Sequence, residues 1–147
     1  MTNELSEGEP SGSRAMLITG ATGFIGSRLA ALALSKGYAV QTLTRSDWAG
    51  VPAVPIGRRY FGNLPGQIPS AAMQGVDVIV HCAAIAGGSE HAVRAVNVLG
   101  TLRLADQARR AAVTTFIFLS SQSARPDALS AYGRTKYAAE QGLLAMD

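Results

Sequence analysis

Tyr132 and Lys136 stand four residues apart in "YGRTK", at the start of a predicted helix, so they share one face of it. A free phenol ionises near ~10, too high for a base at neutral pH. A neighbouring ammonium favours the phenolate and lowers that value. The pair therefore has the makings of a proton donor and acceptor. A second constellation lies near the other end, in "LITGATGFIG". Gly20, Gly23 and Gly26 recur every three residues directly after an apolar run. Where such glycines close a strand and open a helix, the first permits a sharp turn. The second lets backbone approach a pyrophosphate, and the third lets the helix pack close to the sheet. Free N–H groups and the helix dipole then favour an anion.

Both constellations depend on elements that hold them. Residues 1–14, rich in Ser, Gly and Glu, read as a flexible tail. "AMLIT" (15–19) reads as a strand, and "FIGSRLAALALSKG" (24–37) as a helix with Ile25, Leu29 and Leu32 on its apolar face. "AVQTL" (39–43) reads as a second strand. The stretch 46–75 holds four prolines and is expected to carry a short strand near Ile56–Phe61 and a brief helix before Gly75. "VDVIVHCAA" (76–84) contains a strand. "EHAVRAVNVLGTLRLADQARRAA" (90–112) reads as one long helix with Val96, Gly100, Leu104 and Ala108 along one face. "TTFIFLSS" (114–121) is a further strand, and a final helix begins at Ala131. The strands read as nearly solid apolar runs, as when helices cover both faces of a parallel sheet. The fold class expected is α/β: a doubly wound, Rossmann-type parallel sheet in one domain over 15–147.

Composition narrows the function. Hydrophobic residues make up 48% of the 147, and no apolar run reaches membrane-span length. The polar N-terminus has no signal-peptide pattern, so a cytoplasmic location is expected. The net charge of +3 is scattered; only Arg58-Arg59 and Arg109-Arg110 are adjacent basic pairs. No basic stripe interleaved with aromatics marks a nucleic-acid surface. Cys82 is the single cysteine, and His91 is the only histidine besides His81. No metal-ligand cluster surrounds them, and packing at a strand end is expected of both His81 and Cys82.

"TGATGFIG" resembles the extended short-chain dehydrogenase/reductases, the NAD(P)-dependent epimerase/dehydratase family that includes nucleotide-sugar epimerases. "HCAA" (81–84), "NVLGTLRL" (97–104), "FLSS" (118–121) and the YxxxK pair follow in that family's order. The resemblance spans roughly 15–147. It implies hydride transfer at a carbinol or ketone carbon of a sugar nucleotide or similar small molecule. It implies cofactor contacts from Gly20, Thr22, Gly23, Phe24, Ile25 and Gly26 in the turn, and from Ala83 and Ala84 after the fourth strand. Asn97 falls where relatives place a residue close to the active site, although packing or breaking the helix is an equal reading for it. Tyr132 and Lys136 become catalytic, with Lys136 also holding the nicotinamide ribose. Ser121 hydrogen-bonds the substrate oxygen; Ser120 and Ser123 compete for that role, and Ser121 matches the family's position.

The cofactor is read from "LTRSD". Thr44 stands where NAD-binding relatives carry Asp, and Arg45 follows it. A guanidinium grips a phosphate through parallel hydrogen bonds, so NADP is favoured. NAD is the alternative, with Asp47 serving the ribose. In "FGNL", Asn63 and Leu64 fall where relatives contact the adenine, with Asn63 replacing an Asp.

Two departures qualify the resemblance. Only ten residues separate Ser121 from Tyr132, implying a smaller or more open substrate pocket. The chain also stops soon after the YxxxK helix, so the relatives' C-terminal substrate region is expected to be absent and the sheet to have an uncovered edge. Exposed apolar surface there would encourage a homo-oligomer. The rival reading is a non-catalytic NADP-binding module or an inactive fragment.

Overall fold

The computed structural model describes residues 12–45 and 57–146. The expectations placed on residues 1–11, on Asp47 and on Ile56 lie outside the described residues.

Five strands form one parallel sheet: β1 (Ala15–Thr19), β2 (Ala39–Thr44), β3 (Arg58–Phe61), β4 (Val78–His81) and β5 (Thr115–Phe118). Their order is β3-β2-β1-β4-β5. The chain winds outward from β1 through β2 and β3, then returns to pair β4 on the other side of β1. The order therefore reverses between β1 and β4, and crevices open at the carboxyl ends of strands at such a point. The expected doubly wound α/β architecture is the one observed.

Helices cover both faces. Helix α1 (Phe24–Ser35) packs on one face, where Ala30 and Ala33 join Met16, Ile18, Val40 and Val80. On the other face, α2 (Glu90–Arg94), a π-helical turn (Ala95–Gly100) and α3 (Thr101–Arg110) run on continuously. Leu104 and Ala108 of α3 meet Leu17, Leu43 and Ile79 there, with Met73 of a 3-10 turn (Ser70–Met73). Helix α4 (Ala131–Leu144) lies beside them, close enough that a Cβ on Gly142 would stand 2.7 Å from the Leu102 side chain. Among the described residues, no helix is long and apolar enough to cross a membrane.

Three details differ from the sequence reading. The buried face of α1 is Gly26, Ala30 and Ala33, whereas Ile25 and Leu32 are about half exposed. A helix seated this closely on a sheet selects small residues for the contact and turns the bulky ones outward. The long helix is not uniform, because the π turn inserts a wider coil that leaves Asn97, Val98 and Gly100 buried, with Val96 half-buried. The strands are also less uniformly apolar than expected. Gln41, Thr42 and Thr44 are buried within β2, and the arginines of β3 are exposed at the sheet edge.

Candidate active site

The glycine turn links β1 to α1 at the point where strand order reverses. Gly20 adopts φ +69°, a left-handed conformation that side chains rarely tolerate. A Cβ there would lie 2.7 Å from the Ala83 nitrogen, so the turn and the chain after β4 touch backbone to backbone. The Gly23 N–H closes the turn onto the Gly20 carbonyl at 2.9 Å. Gly26, one helical turn on, leaves no room for a Cβ against that same carbonyl. The N-cap Gly23 brings no side chain, and the first turn of α1 carries no acidic residue. Its free N–H groups are therefore left for an anion.

The turn opens into a cavity of about 210 Å³ at the carboxyl ends of β1, β2 and β4. Thr19, Gly20, Thr22 and Gly23 form one wall, and Cys82, Ala83, Ala84 and Ile85 another. Beyond β2 it is bounded by Leu43, Thr44 and Arg45, and beyond β3 by Gly62, Asn63 and Leu64. The lining thus runs across the switch point, from the segment after β4 to the segment after β3. Phe24 and Ile25 do not line the cavity. They are exposed in the first turn of α1, where the Arg28 guanidinium lies 3.7 Å from the centre of the Phe24 ring.

Beneath the cavity runs a buried chain of hydrogen bonds. Thr19 and His81 are cross-strand partners in register, which brings Thr19 Oγ1 to 2.6 Å from His81 Nδ1. His81 Nε2 lies 2.9 Å from Thr101 Oγ1, and that hydroxyl donates to the Asn97 carbonyl at 2.8 Å. Thr101 has one proton and spends it on Asn97, so Nε2 must be the donor to Thr101. Nδ1 is then the acceptor from Thr19, whose oxygen in turn accepts the Ala83 N–H at 3.2 Å. His81 is thereby fixed as the neutral Nε2–H tautomer. Burial, and secondly the charge of Lys136, lower its pKa to about 3. The expected packing role is also seen, since its ring stacks on Phe118 with centroids 5.9 Å apart.

Asn97 joins the cavity wall to α4. Its Oδ1 accepts the Ile85 N–H at 2.9 Å, and its Nδ2 donates to the Ile85 carbonyl at 2.9 Å and to Thr135 Oγ1 at 3.1 Å. Of the two readings of Asn97, the geometry therefore displays bracing: the side chain holds the loop after β4 against the helix bearing Tyr132.

Ser130 caps α4 by accepting the Gly133 N–H at 3.0 Å. Gly133 packs against the Ser123 carbonyl so closely that a Cβ would not fit. The first turn of α4, with half-buried Tyr132, thus rests on the serine segment. Ser121 Oγ accepts the Ser123 N–H at 3.2 Å and lies 2.9 Å from Ser123 Oγ. Ser120 Oγ is enclosed and has no partner among the described residues. Lys136 is buried; its Nζ donates to the Leu119 carbonyl and sits 4.0 Å from the centre of the Phe118 ring. Burial lowers its pKa to about 8, opposed by the neighbouring Cys82 and Glu140. Burial also raises the Cys82 thiol, with Lys136 opposing.

The cavity gathers Gly20, Thr22, Gly23, Arg45, Asn63, Leu64, Ala83 and Ala84. Gly26 and Asn97 lie outside that lining, and so do Ser121, which follows β5, and Tyr132 and Lys136 of α4. The sequence reading missed Thr19, Thr101 and Thr135 as bracing groups and His81 as a hydrogen-bonded link. The β1–β4 register would have exposed the Thr19–His81 pair; the single threonines carried no signal.

Residues 16–147 match the family described as NAD dependent epimerase/dehydratase. The chain is 36% identical over 118 residues to a 3β-hydroxysteroid dehydrogenase/Δ5→4-isomerase of Mycobacterium tuberculosis, covering 74% of this chain and 32% of that protein. It is 35% identical over 138 residues to the ceramide reductase of Caulobacter vibrioides, covering 88% and 42%. Among solved structures, MoeE5 in complex with UDP-glucuronic acid and NAD superposes with a TM-score of 0.79 at 30% identity, covering 91% of this chain and 49% of that one. The chain thus spans between a third and a half of the length of these relatives.

Proposed function

The chain belongs to the NAD-dependent epimerase/dehydratase family, and from that premise we propose that its cavity binds NADP and that Ser121, Tyr132 and Lys136 serve hydride transfer at a carbinol or ketone carbon. The observation that carries this reading is the Gly20–Gly26 turn, whose uncapped helix end opens into the same cavity that Arg45 bounds. The glycine turn would hold the pyrophosphate and Arg45 the 2′-phosphate, with Asn63 and Leu64 beside the base. The bound nicotinamide supplies or accepts the hydride.

The protein's own residues manage the proton. Ser121 Oγ orients the substrate oxygen by a hydrogen bond. Tyr132 takes the proton from that oxygen, or returns it, in step with the hydride. Lys136, one helical turn along, supplies positive charge that favours the phenolate while the proton is away. The Ser123–Gly133 contact and the Lys136–Leu119 bond support this assignment, because they seat α4 on the serine segment and on the end of β5.

The substrate is a small molecule bearing a secondary alcohol or a ketone. Sugar nucleotides are supported by the ligand of MoeE5, and sterol- or ceramide-like alcohols by the names of the relatives. A second reading, a non-catalytic NADP-binding module, is favoured by one observation. The lining of the cavity does not reach Tyr132.

The test combines two measurements. Titration with NADPH and NADH, followed by cofactor fluorescence, should show saturable binding. Hydride transfer should then be assayed across UDP-sugars, hydroxysteroids and simple ketones, with Tyr132→Phe as control. Turnover abolished by Tyr132→Phe, with binding retained, supports the enzyme. Tight binding with no turnover on any substrate supports the module.

A further inference from the structure

Thr135 is buried in α4 between Tyr132 and Lys136. Its hydroxyl has a single proton to give. That proton goes to the Tyr132 carbonyl, at 3.0 Å. The oxygen is then left to accept from Asn97 Nδ2, at 3.1 Å. The Asn97 amide cannot flip to reverse this bond, because its Oδ1 accepts the Ile85 N–H and its Nδ2 donates to the Ile85 carbonyl. Ile85 lines the cavity. The side chains of Asn97 and Thr135 thus form a directed path from the cavity wall to the backbone of Tyr132.

The same turn of α4 is also held from β5. Gly133 packs on the Ser123 carbonyl, and Lys136 Nζ donates to the Leu119 carbonyl. Those ties set Tyr132 against the segment that follows β5 and leave its place relative to the cavity wall open. On the cavity side the Arg134–Glu90 pair is solvent-exposed, so it contributes little. The buried hydrogen bond from α4 to that side, among the described residues, is the one that Thr135 makes. Proton and hydride move in step only when phenol, substrate and nicotinamide are aligned. We propose that Thr135 is a positioning residue for this reaction: its hydroxyl holds the backbone of Tyr132 in register with the wall of the cofactor cavity. Thr135 lies outside the cavity lining and acts through Tyr132. The inference rests on the reading of Tyr132 as the proton-transfer group.

The test compares Thr135→Val, which keeps the shape and removes the hydroxyl, with Thr135→Ser, which keeps the hydroxyl. Ala139→Gly is the control, because it weakens the same helix without removing a side-chain hydrogen bond. The whole chain and each variant are titrated with NADPH by cofactor fluorescence. kcat and KM are then measured on the substrate turned over fastest among UDP-sugars, hydroxysteroids and simple ketones, and thermal melting ranks stability. Thr135→Val should lower kcat about 10- to 100-fold, the scale of a slightly misplaced reacting group, with the NADPH dissociation constant unchanged. Thr135→Ser should restore most of that loss, and Ala139→Gly should keep kcat although it melts earlier. Should Thr135→Val not fold, Thr135→Cys takes its place, since a thiol is a weak donor and a weak acceptor. Three outcomes overturn the inference and leave the enzyme reading intact: a kcat unchanged without the hydroxyl, a loss that serine does not restore, or a kcat that falls with melting temperature in Ala139→Gly as well. Absence of turnover on every substrate overturns the reading of Tyr132 and this inference with it.

Discussion

The side-chain amide of Asn97 grips Ile85 at both of its backbone polar groups, accepting the N–H and donating to the carbonyl, each at 2.9 Å. The same Nδ2 reaches Thr135 on α4. Removing this amide leaves the cavity wall and α4 without their shared brace. Asn97→Ala should lower stability by about 1–3 kcal/mol, the cost of stranding buried polar groups. Asn97→Asp, which sets a carboxylate against the Ile85 carbonyl, should cost at least as much. Urea unfolding monitored by circular dichroism reads both, with an unchanged m-value showing that the loss is one of stability.

Gly26→Ala tests the closeness of α1 to the turn. The added methyl would overlap the Gly20 carbonyl, a backbone group that cannot step aside. The helix must lift, and the turn deforms with it. A destabilisation of about 1–3 kcal/mol is expected, as for overpacking elsewhere in a core. Loss of NADPH binding should accompany it. A variant that melts like the parent and binds as well would contradict this account of the turn.

His81 makes stability depend on pH. Its folded pKa of about 3 lies below the ordinary 6.5, so the unfolded chain takes up a proton that the folded chain refuses. The stability it contributes is complete above pH 6.5 and drains away as pH falls from there toward about 3. The limiting slope is about 1.4 kcal/mol per pH unit. In His81→Asn, the fall in unfolding free energy between pH 6.5 and 4 should be shallower than in the parent, with the difference between the two curves isolating the imidazole.

On the proposed reading, Arg45 distinguishes the two nicotinamide cofactors. Arg45→Ala should weaken NADPH about 10- to 100-fold, the worth of a charge-assisted hydrogen bond. NADH, with no phosphate for it to hold, should change little. Parallel fluorescence titrations give both constants, and equal losses would remove Arg45 from the 2′-phosphate site.

On the proposed mechanism, Lys136 should set the alkaline limb of activity. With its pKa lowered to about 8, the Lys136 cation, one helical turn from Tyr132 along α4, is lost as pH rises through that value. kcat/KM, which reports the free enzyme, should decline there. Glu140 holds this pKa up, so Glu140→Gln should move the limb to lower pH. A limb that stays in place would mean that another group controls it.

The sheet was legible because β1 and β4 are buried on both faces and read as continuous apolar runs. The glycine spacing likewise located the turn. Other features lie beyond a local reading. Ile25, Leu29 and Leu32 keep helical spacing, yet of the three only Leu29 packs against the core, beside Gly26, Ala30 and Ala33, because a helix pressed against a strand turn has room mainly for small groups. The π turn leaves no mark in residue types; it exists because Asn97 and Thr101 must both meet partners in the sheet and in α4. The tautomer of His81 is set by Thr101, twenty positions away. Of the site, the cavity-lining residues at strand ends could be read from the chain, while the threonines and the buried imidazole that brace them could not.

The π turn at Ala95–Gly100 also bears on how this sequence tolerates change of length. A wide coil of this kind holds one residue more than the α-helix that would replace it. Deletion of a single position there, even the exposed Leu99, would rewind the segment and rotate everything after it by about 100°. Thr101 would leave His81, and Leu104 and Ala108 would swing out of the core. The segment can exchange residue types at its outer positions, but its count of residues is fixed, so the reading frame of the helix is as much a part of the site as any side chain in it.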